Sequence, residues 1–231
     1  MTTTLVTGAN KGIGREAAKR LIEAGHDVWI SARDRRRGQE AAEELGGRFV
    51  QLDVTDSASV AAAAKTVWEA GTGLDVLVNN AAIFGSEAPI EEITGEDADE
   101  VFRTNVSGII RVTNAFLPLL KQSPSPVIVN VSSTLGSVAL TIDPERVEYT
   151  VPNVTYSPSK AAVDMLTTQY AKVLPGFRIN VVDPGHTATE MNAFQGAQTL
   201  TEGTDAIFEM ATIGSDGPTG QFINRQGPIP W

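Results

Sequence analysis

The chain has 231 residues, enough to bury the core of one α/β domain, and nothing in its length calls for a second. Its 18 Lys and Arg against 28 Asp and Glu give a net charge of −10, which disfavours a nucleic-acid partner because phosphate backbones repel a negative surface. The absence of Cys excludes disulfides, thiolate catalysis and Cys-ligated zinc, and with only two His we expect no metal site.

Short runs rich in Val and Ile alternate with longer amphipathic stretches, a rhythm typical of βαβ units and a parallel sheet. The predicted strands cover residues 3–7, 27–32, 48–51, 76–79, 126–131, 178–182 and 220–223. The predicted helices cover residues 13–24, 34–45, 57–70, 98–120, roughly 158–174, and 202–213. These elements predict a single Rossmann-like domain over residues 1–231, with a doubly wound parallel seven-stranded sheet flanked by helices.

Two stretches interrupt this rhythm, residues 135–155 and residues 184–200. Long irregular segments in a compact domain are usually functional. Both should lie beside the carboxyl ends of the strands, where open α/β sheets bind their ligands.

The first predicted strand runs directly into residues 8–14, Gly-Ala-Asn-Lys-Gly-Ile-Gly, and then into an amphipathic helix. Glycines at such a turn let the backbone approach a pyrophosphate, whose charge then faces the helix N-terminus. The spacing differs from the common Gly-x-Gly-x-x-Gly, and a plain strand-to-helix turn is the alternative. The position of this glycine-rich turn in the first βαβ unit favours dinucleotide binding. The predicted cofactor contacts here are Gly8, Asn10, Lys11, Gly12, Ile13 and Gly14.

Tyr156 and Lys160 lie four positions apart in a stretch that is predicted to be helical, so they share one helix face. An unperturbed Tyr titrates near ~10, and a neighbouring ammonium favours the phenolate and makes the phenol a readier proton donor. Pro158 is tolerated only in the first turn of a helix, so the helix must begin close to Tyr156. The alternative is that Tyr156 and Lys160 are a solvent-exposed pair without a function.

An ordered set of motifs resembles the short-chain dehydrogenase/reductase family. The motifs are Gly8-x-x-x-Gly12-x-Gly14, Asn79-Asn80-Ala81-Ala82, Asn105, Ser132-Ser133 and Tyr156-x-x-x-Lys160. The resemblance continues through Pro184-Gly185 into the Thr219-Gly220-Gln221-Phe222 tail. The 23-residue step from Ser133 to Tyr156 is long for the family, and with the ending at residues 227–231 it resembles the carbonyl-reductase branch.

The resemblance implies hydride transfer to a carbonyl, whose oxygen then needs a hydrogen-bond donor and a proton. By resemblance, Ser133 holds that oxygen while Tyr156 delivers the proton, with Ser132 as the alternative to Ser133. Lys160 would lower the pKa of Tyr156 and bind the nicotinamide ribose. Asn105 would help a water chain reach Lys160, the alternative being an Asn that kinks or caps a helix.

The end of the second predicted strand indicates which nucleotide is bound. NAD-using family members usually carry an acidic residue there, whereas this chain has Ala32 followed by Arg33. An Arg can hold a 2′-phosphate through two parallel charged hydrogen bonds, and Lys11 resembles the second basic position of NADP-preferring members. Together they favour NADPH, although each could be an ordinary surface cation. Asp34 would bring an acid near the ribose if the strand ended one residue later.

Further cofactor contacts follow from the resemblance alone. Asp53 matches the residue that contacts the adenine ring, with a helix N-cap as its alternative role. Thr187 and Thr189 match positions that meet the nicotinamide carboxamide. Ala82 replaces the Gly that is more common in the family, and His186 is expected to face solvent. The remaining predicted contacts are Val54, Asn80, Ala81, Ala82, Pro184 and Gly185, together with Tyr156 and Lys160.

The predicted substrate is a small molecule with an uncharged or weakly polar ketone or aldehyde, because residues 135–155 and 184–200 hold no cationic cluster. Phe84, Tyr149, Phe194 and Trp231 are candidate apolar contacts. NADPH is normally kept reduced in cells, which favours carbonyl reduction. An NAD-linked alcohol or polyol dehydrogenase and a non-catalytic dinucleotide-binding sensor are the alternatives.

No signal peptide and no membrane-length apolar run are evident, so we expect a cytoplasmic protein without a membrane partner. Family members commonly form dimers or tetramers, whereas carbonyl reductases with extra residues before the Tyr helix can be monomers. The long segment 135–155 leaves both a monomer and a homo-oligomer open.

Overall fold

Eight strands form one sheet in the computed structural model, which describes residues Met1–Trp231. The strands are β1 (Thr3–Val6), β2 (Asp27–Ala32), β3 (Arg48–Gln51), β4 (Val76–Asn79), β5 (Val127–Val131), β6 (Arg178–Val182), β7 (Phe222–Asn224) and β8 (Gly227–Pro228). Their order is β3-β2-β1-β4-β5-β6-β7-β8, and all pairs are parallel except β7 with β8. The strand order reverses between β1 and β4, the place where such sheets bind ligands.

Nine α-helices cover and connect the strands. They are α1 (Gly12–Glu23), α2 (Arg35–Leu45), α3 (Ser57–Glu69), α4 (Gly95–Asn105), α5 (Ser107–Leu120), α6 (Val138–Thr141), α7 (Tyr156–Val173), α8 (Leu200–Gly203) and α9 (Asp205–Ala211). Short 3₁₀ helices occur at Ile90–Glu92, Thr134–Gly136, Val147–Thr150 and Glu190–Asn192. None of these helices is both long enough and apolar enough to cross a bilayer.

Alternating side chains divide the core into two layers, one on each face of the sheet. In β2, Val28 and Ile30 join the layer that contains Leu21 of α1, whereas Trp29 joins the layer that contains Phe116 of α5. Successive strand side chains point to opposite faces, so a strand covered by helices on both sides is apolar throughout. The predicted doubly wound α/β fold is confirmed by this arrangement.

The sheet has one strand more than the seven predicted, because β8 has no signal in the sequence. Residues Ile223 and Asn224 pair with Pro228 and Gly227 in a short antiparallel hairpin, and Gly227 has φ +120°. A two-residue strand containing Pro has no alternating pattern to detect. The seventh strand also begins later than predicted, at Phe222.

Two predicted helices are each divided in the structure. The stretch 98–120 breaks at Val106 (φ −109°, ψ −63°), between α4 and α5, and the stretch 202–213 breaks at Thr204, between α8 and α9. Thr204 is buried, and its hydroxyl accepts a hydrogen bond from Arg20 of α1 at 2.8 Å. At the other break Asn105 reaches a distant part of the chain, as described below. Both breaks follow from tertiary contacts that a local pattern does not contain.

The segment after Ser133 is tied to the C-terminal tail. Ser137 donates to the carbonyl of Pro230 at 2.7 Å, and the Ala139 amide donates to the carbonyl of Trp231 at 3.2 Å. The Trp231 ring packs on Phe222 of β7 with 5.6 Å between centroids. The stretch 135–155 is therefore more ordered than its sequence indicated: it contains α6 and the 3₁₀ helix Val147–Thr150.

Candidate active site

The glycine-rich turn joins β1 to α1 and brings the backbone close to the end of β4. Gly8 and Gly12 have φ of +64° and +55°, in the left-handed region that favours glycine. A side chain at Gly14 would collide with the Asn80 amide and lie 2.6 Å from the Gly8 carbonyl oxygen. The turn therefore excludes side chains and leaves its backbone at the N-terminus of a helix, which suits an anionic ligand.

Hydrogen bonds hold the segment after β4 against this turn. The hydroxyl of Thr7 accepts from the amides of Asn80 and Ala81 at 2.9 and 3.0 Å, and the Asn80 side chain donates to the Thr7 carbonyl at 2.9 Å. Ala81 also lies against Gly8, where an added Cβ would be 3.1 Å from the Ala81 Cα. The Asn-Asn-Ala-Ala motif is thus packed directly on the predicted cofactor turn.

The same segment reaches the helix that carries Tyr156 through Asn105. The buried Asn105 side chain accepts from the Ile83 amide at 2.9 Å and donates to the Ile83 carbonyl at 2.9 Å. Its amide nitrogen also donates to the Ser159 hydroxyl of α7 at 3.0 Å. Asn105 is therefore a bridge between two parts of the site, and the predicted water chain stays a prediction.

Ser133 and Tyr156 are brought together. The Ser133 hydroxyl is close enough to the Tyr156 phenol to lower its pKa, and it accepts from the Leu135 amide at 3.2 Å at the start of a 3₁₀ turn. Ser132 is buried and donates instead to the Lys160 carbonyl at 3.3 Å. Of the two alternatives, Ser133 is thus the serine that faces the phenol.

Tyr156 is the first residue of α7, as Pro158 required. Asn153 organises this helix start, because its side-chain oxygen accepts from the amides of Thr155 and Tyr156 at 2.9 and 2.5 Å. The Phe84 ring packs on the Tyr156 ring with 4.8 Å between centroids. The phenol is consequently held in one orientation by both its backbone and its ring.

One expectation about Tyr156 was wrong. Burial raises its pKa above the ordinary value, the Asp183 and Asp164 carboxylates add to the rise, and the nearby Ser133 hydroxyl lowers it. The Lys160 ammonium lies 5.4 Å from the Tyr156 ring centroid and donates to the Val131 carbonyl at 2.8 Å. The ammonium is directed at that carbonyl, and burial of the phenol outweighs the lowering that this positive charge exerts on the pKa of Tyr156.

Lys160 is only 2% exposed and lies among carboxylates. Burial lowers the pKa of Lys160 to about 8, while Asp164 and Asp183 act in the opposite direction. Burial raises the pKa of Asp164 to about 7 and also raises the pKa of Asp183. Four interacting ionisable groups therefore meet at the carboxyl ends of β5 and β6.

At the nucleotide end of the site, β2 ends at Ala32, so that exposed Arg33 is the first residue beyond the strand. Asp34 accepts from the Arg37 amide at 3.0 Å and caps α2. The acid that complicated the prediction thus already has a structural role. Lys11 forms an exposed ion pair with Glu190 at 2.5 Å, which connects the turn to the loop after β6.

Asp53 does not cap the next helix, because Asp56 does. Its carboxylate accepts from the amide and hydroxyl of Thr55 at 2.8 and 2.7 Å. Burial opposes the shift, but these bonds and the charge of Arg33 hold the pKa of Asp53 below its ordinary value. Val54 is buried against Gly108 of α5. The N-cap alternative for Asp53 was therefore wrong, and its contact with adenine stays a prediction.

The loop after β6 folds back on itself beside the glycine-rich turn. Thr187 is buried, donates to the Pro184 carbonyl at 2.8 Å and pairs with Gln198 in an isolated β-bridge, and Gly185 has φ +68°. Thr189 caps the short helix Glu190–Asn192 and lies 4.0 Å from a Cβ built at Gly12. His186 is exposed, as expected. The two predicted carboxamide contacts therefore lie on an ordered loop.

Comparison with known proteins agrees with this geometry. A family model described as short chain dehydrogenase matches residues 2–199. Salutaridine reductase of Papaver bracteatum is 34% identical, with 97% of this chain and 94% of that protein covered.

The chain belongs to the short-chain dehydrogenase family.

Two solved structures and one more relative show how far the likeness extends. Salutaridine reductase from Papaver somniferum has a TM-score of 0.85 at 31% identity, covering 97% of this chain and 100% of that one. NADPH-bound carbonyl reductase from chicken fatty liver has a TM-score of 0.88 at 28% identity, covering 100% and 94%. The (+)-neomenthol dehydrogenase of Capsicum annuum is 30% identical over 96% of this chain and 95% of that protein. This short-chain dehydrogenase therefore matches an oxidoreductase family along nearly its whole length.

The four candidate apolar contacts have different surroundings in this dehydrogenase. Phe84 packs on Tyr156 and Trp231 packs on Phe222. Tyr149 and Phe194 are more than half exposed, and Phe194 has φ +61°. Of the four, Phe84 packs on a predicted catalytic residue.

Sequence reasoning missed the two buried carboxylates, Asp164 and Asp183. The signal for Asp164 was present, since the four-residue spacing that pairs Tyr156 with Lys160 continues to Asp164 on the same helix face. Asp183 directly precedes Pro184, at the end of β6. Neither position shows from sequence alone that the side chain is buried.

The packing at Gly14 makes a prediction for this dehydrogenase. Gly14→Ala should destabilise the fold by about 1–3 kcal/mol, because the added methyl collides with Asn80 and the Gly8 carbonyl. Gly95→Ala is the matched control, since nothing lies within 4 Å of a Cβ there. Urea denaturation of both variants measures the difference, and equal stabilities would show that the turn has room for a side chain.

Proposed function

We propose that this dehydrogenase reduces a ketone or aldehyde to an alcohol with NADPH, using Tyr156 as the proton donor. The observation that carries the proposal is that the Ser133 hydroxyl lies beside the buried Tyr156 phenol, close enough to lower its pKa. Two hydroxyl donors side by side are what a carbonyl oxygen needs as negative charge develops on it.

The residues at the glycine-rich turn fit a dinucleotide. Gly8 and Gly14 leave no room for side chains, and α1 begins at the turn with its backbone amides facing outwards from the helix end. Arg33, Lys11 and Asp53 would hold the adenosine part, while Lys160, Thr187 and Thr189 would hold the nicotinamide part. When bound, the reduced cofactor supplies a hydride to the carbonyl carbon.

Tyr156 supplies the proton that balances this hydride. Its raised pKa keeps the phenol protonated at neutral pH, so the proton is available for the carbonyl oxygen. Ser133 donates a hydrogen bond to the same oxygen and orients it towards the phenol. After transfer, the negative charge on the phenolate lies close to the Lys160 ammonium, which stabilises it.

The names of similar proteins support reduction. Salutaridine reductase, (−)-isopiperitenone reductase of Mentha piperita and NADPH-dependent pterin aldehyde reductase of Arabidopsis thaliana are 32–34% identical to this chain. The last name and the NADPH-bound carbonyl reductase structure both specify the phosphorylated cofactor. They support NADPH here together with Arg33 and Lys11.

Replacing Tyr156 with Phe tests the proton donor. Tyr156→Phe removes only the hydroxyl, so kcat should fall by about 10²- to 10⁴-fold while NADPH binding is retained. Tyr170→Phe is the matched control on the same helix, where the hydroxyl is bonded to Asn114 at 3.3 Å. NADPH consumption with a panel of ketones and aldehydes measures the rates. Undiminished turnover by Tyr156→Phe would contradict the mechanism, and no turnover by the wild type would favour a dinucleotide sensor.

The cofactor preference is tested at Arg33. Loss of a charged hydrogen bond is worth about 1.5–3 kcal/mol, so Arg33→Ala should weaken NADPH binding by roughly 10- to 100-fold and NADH binding little. Lys65→Ala removes an exposed cation from α3 and should change neither affinity. Steady-state kinetics and fluorescence titration with both cofactors give the answer. An equal or higher kcat/KM with NADH in the wild type would favour the NAD-linked alternative.

A further inference from the structure

Asp164 lies one helical turn after Lys160 on α7, on the face that also carries Tyr156. It is 4% exposed and Lys160 is 2% exposed, so both side chains are inside the protein. The proposed proton transfer uses Tyr156, Ser133 and Lys160 and leaves this carboxylate without a role.

Neither oxygen of Asp164 receives a hydrogen bond. The Ser132 hydroxyl is close enough to lower the pKa of Asp164, but it donates to the Lys160 carbonyl. Gly136 closes over the carboxylate, since a Cβ there would lie 2.8 Å from Asp164 Oδ2. A buried carboxylate without donors costs stability, and an uncharged side chain at this position would lessen that cost.

The other charged groups around Asp164 come from three elements. Tyr156 and Lys160 lie on α7 itself, and Asp183 follows β6. Glu148 of the 3₁₀ helix Val147–Thr150 faces Asp183 and is 3.4 Å from Arg146. Asp183 accepts a hydrogen bond from the Thr134 amide at 3.1 Å, and Glu148 pairs with Arg146, so both carboxylates have a partner. The only positive charge that stabilises the Asp164 carboxylate is that of the Lys160 ammonium.

We propose that Asp164 is a positioning residue that keeps the positive charge on Lys160 beside Tyr156. The inference rests on the proposed function, in which Lys160 stabilises the phenolate left after proton transfer. Burial drives Lys160 towards its neutral form, and Asp164 is the strongest of the influences that oppose this. Burying the Asp164 carboxylate without a hydrogen-bond donor costs stability, but it keeps Lys160 charged for the proposed reaction.

The pH dependence of turnover tests the inference. Asp164→Asn removes a negative charge that raises the pKa of both Lys160 and Tyr156, so both should lose their protons at lower pH. The alkaline limb of kcat should move down by about 0.5 pH unit or more, which is about threefold in rate on that limb, with KM little changed. Asp99→Asn, the same change on the exposed face of α4, should leave the limb in place.

Two measurements on the cofactor-free protein test the inference independently of activity. The Lys160 titration, followed by NMR of ¹³C-labelled lysine and assigned with Lys160→Met, should move to lower pH in Asp164→Asn and stay unchanged in Asp99→Asn. The second measurement is thermal stability. The folded pKa of Asp164 is about 7, above its unfolded value of 3.8, so its carboxylate destabilises the fold progressively as pH rises from about 4 to 7. Asp164→Asn should therefore differ least from the wild type near pH 4 and melt about 2 °C or more higher at pH 9.

The outcomes separate the inference from the proposed function. An unmoved Lys160 titration in Asp164→Asn overturns the inference, even if the wild type reduces ketones. A wild type that reduces no ketone or aldehyde overturns the proposed function, while a shifted Lys160 titration would still show that Asp164 holds the charge. Should Asp164→Asn fail to fold, the inference loses its stability argument and is overturned unless Asp164→Ser folds and shows the same shifts.

Discussion

The hydrogen bonds made by the segment after β4 connect the two halves of the candidate active site. At one end, Asn80 and Ala81 bind Thr7, at the start of the glycine-rich turn. Three residues further on, Ile83 pairs with the Asn105 side chain, which also bonds Ser159 in the helix of Tyr156. Thr7, Asn105 and Ser159 are buried, so each would leave an unpaired polar atom if its partner moved. The distance between the turn and the phenol is thereby set by a chain of bonds from a single strand end.

The second constraint on the site is the burial of its ionisable side chains, which changes their protonation. The helix that begins at Tyr156 places a phenol, an ammonium and a carboxylate on one face, and the packing of Gly136 excludes water from that face. Removing these groups from water favours their neutral forms, so the Tyr156 phenol keeps its proton while Lys160 tends to lose its own. Such opposed tendencies are typical of sites that transfer protons. They also explain why the pKa of the phenol is raised in this protein although an ammonium lies nearby.

Much of the fold could be predicted because its signals are local. The alternation of β2 and its neighbours, the glycines of residues 8–14 and the position of Pro158 each follow from backbone sterics or from burial on both faces of a sheet. Two of the errors occur where a distant contact decides. Asn105 ends α4 as it reaches Ile83, and Thr204 divides α8 from α9 as it meets Arg20, and neither partner is near in sequence. The third error has a local cause, because β8 is a two-residue strand that pairs with neighbouring β7 and is too short to show a pattern.

The sequence by itself determined the doubly wound α/β fold, the glycine-rich turn and the group of residues that resembles a short-chain dehydrogenase, because each depends on residue type and short spacing. Tertiary structure alone decided that Ser133 and not Ser132 faces Tyr156, that Asp34 is engaged as a helix cap, and that Asp164 is buried without a hydrogen bond. These outcomes depend on which atoms lie in contact and how far water is excluded. Burial sets the direction of every pKa shift around Lys160, and burial is a property of the packed molecule.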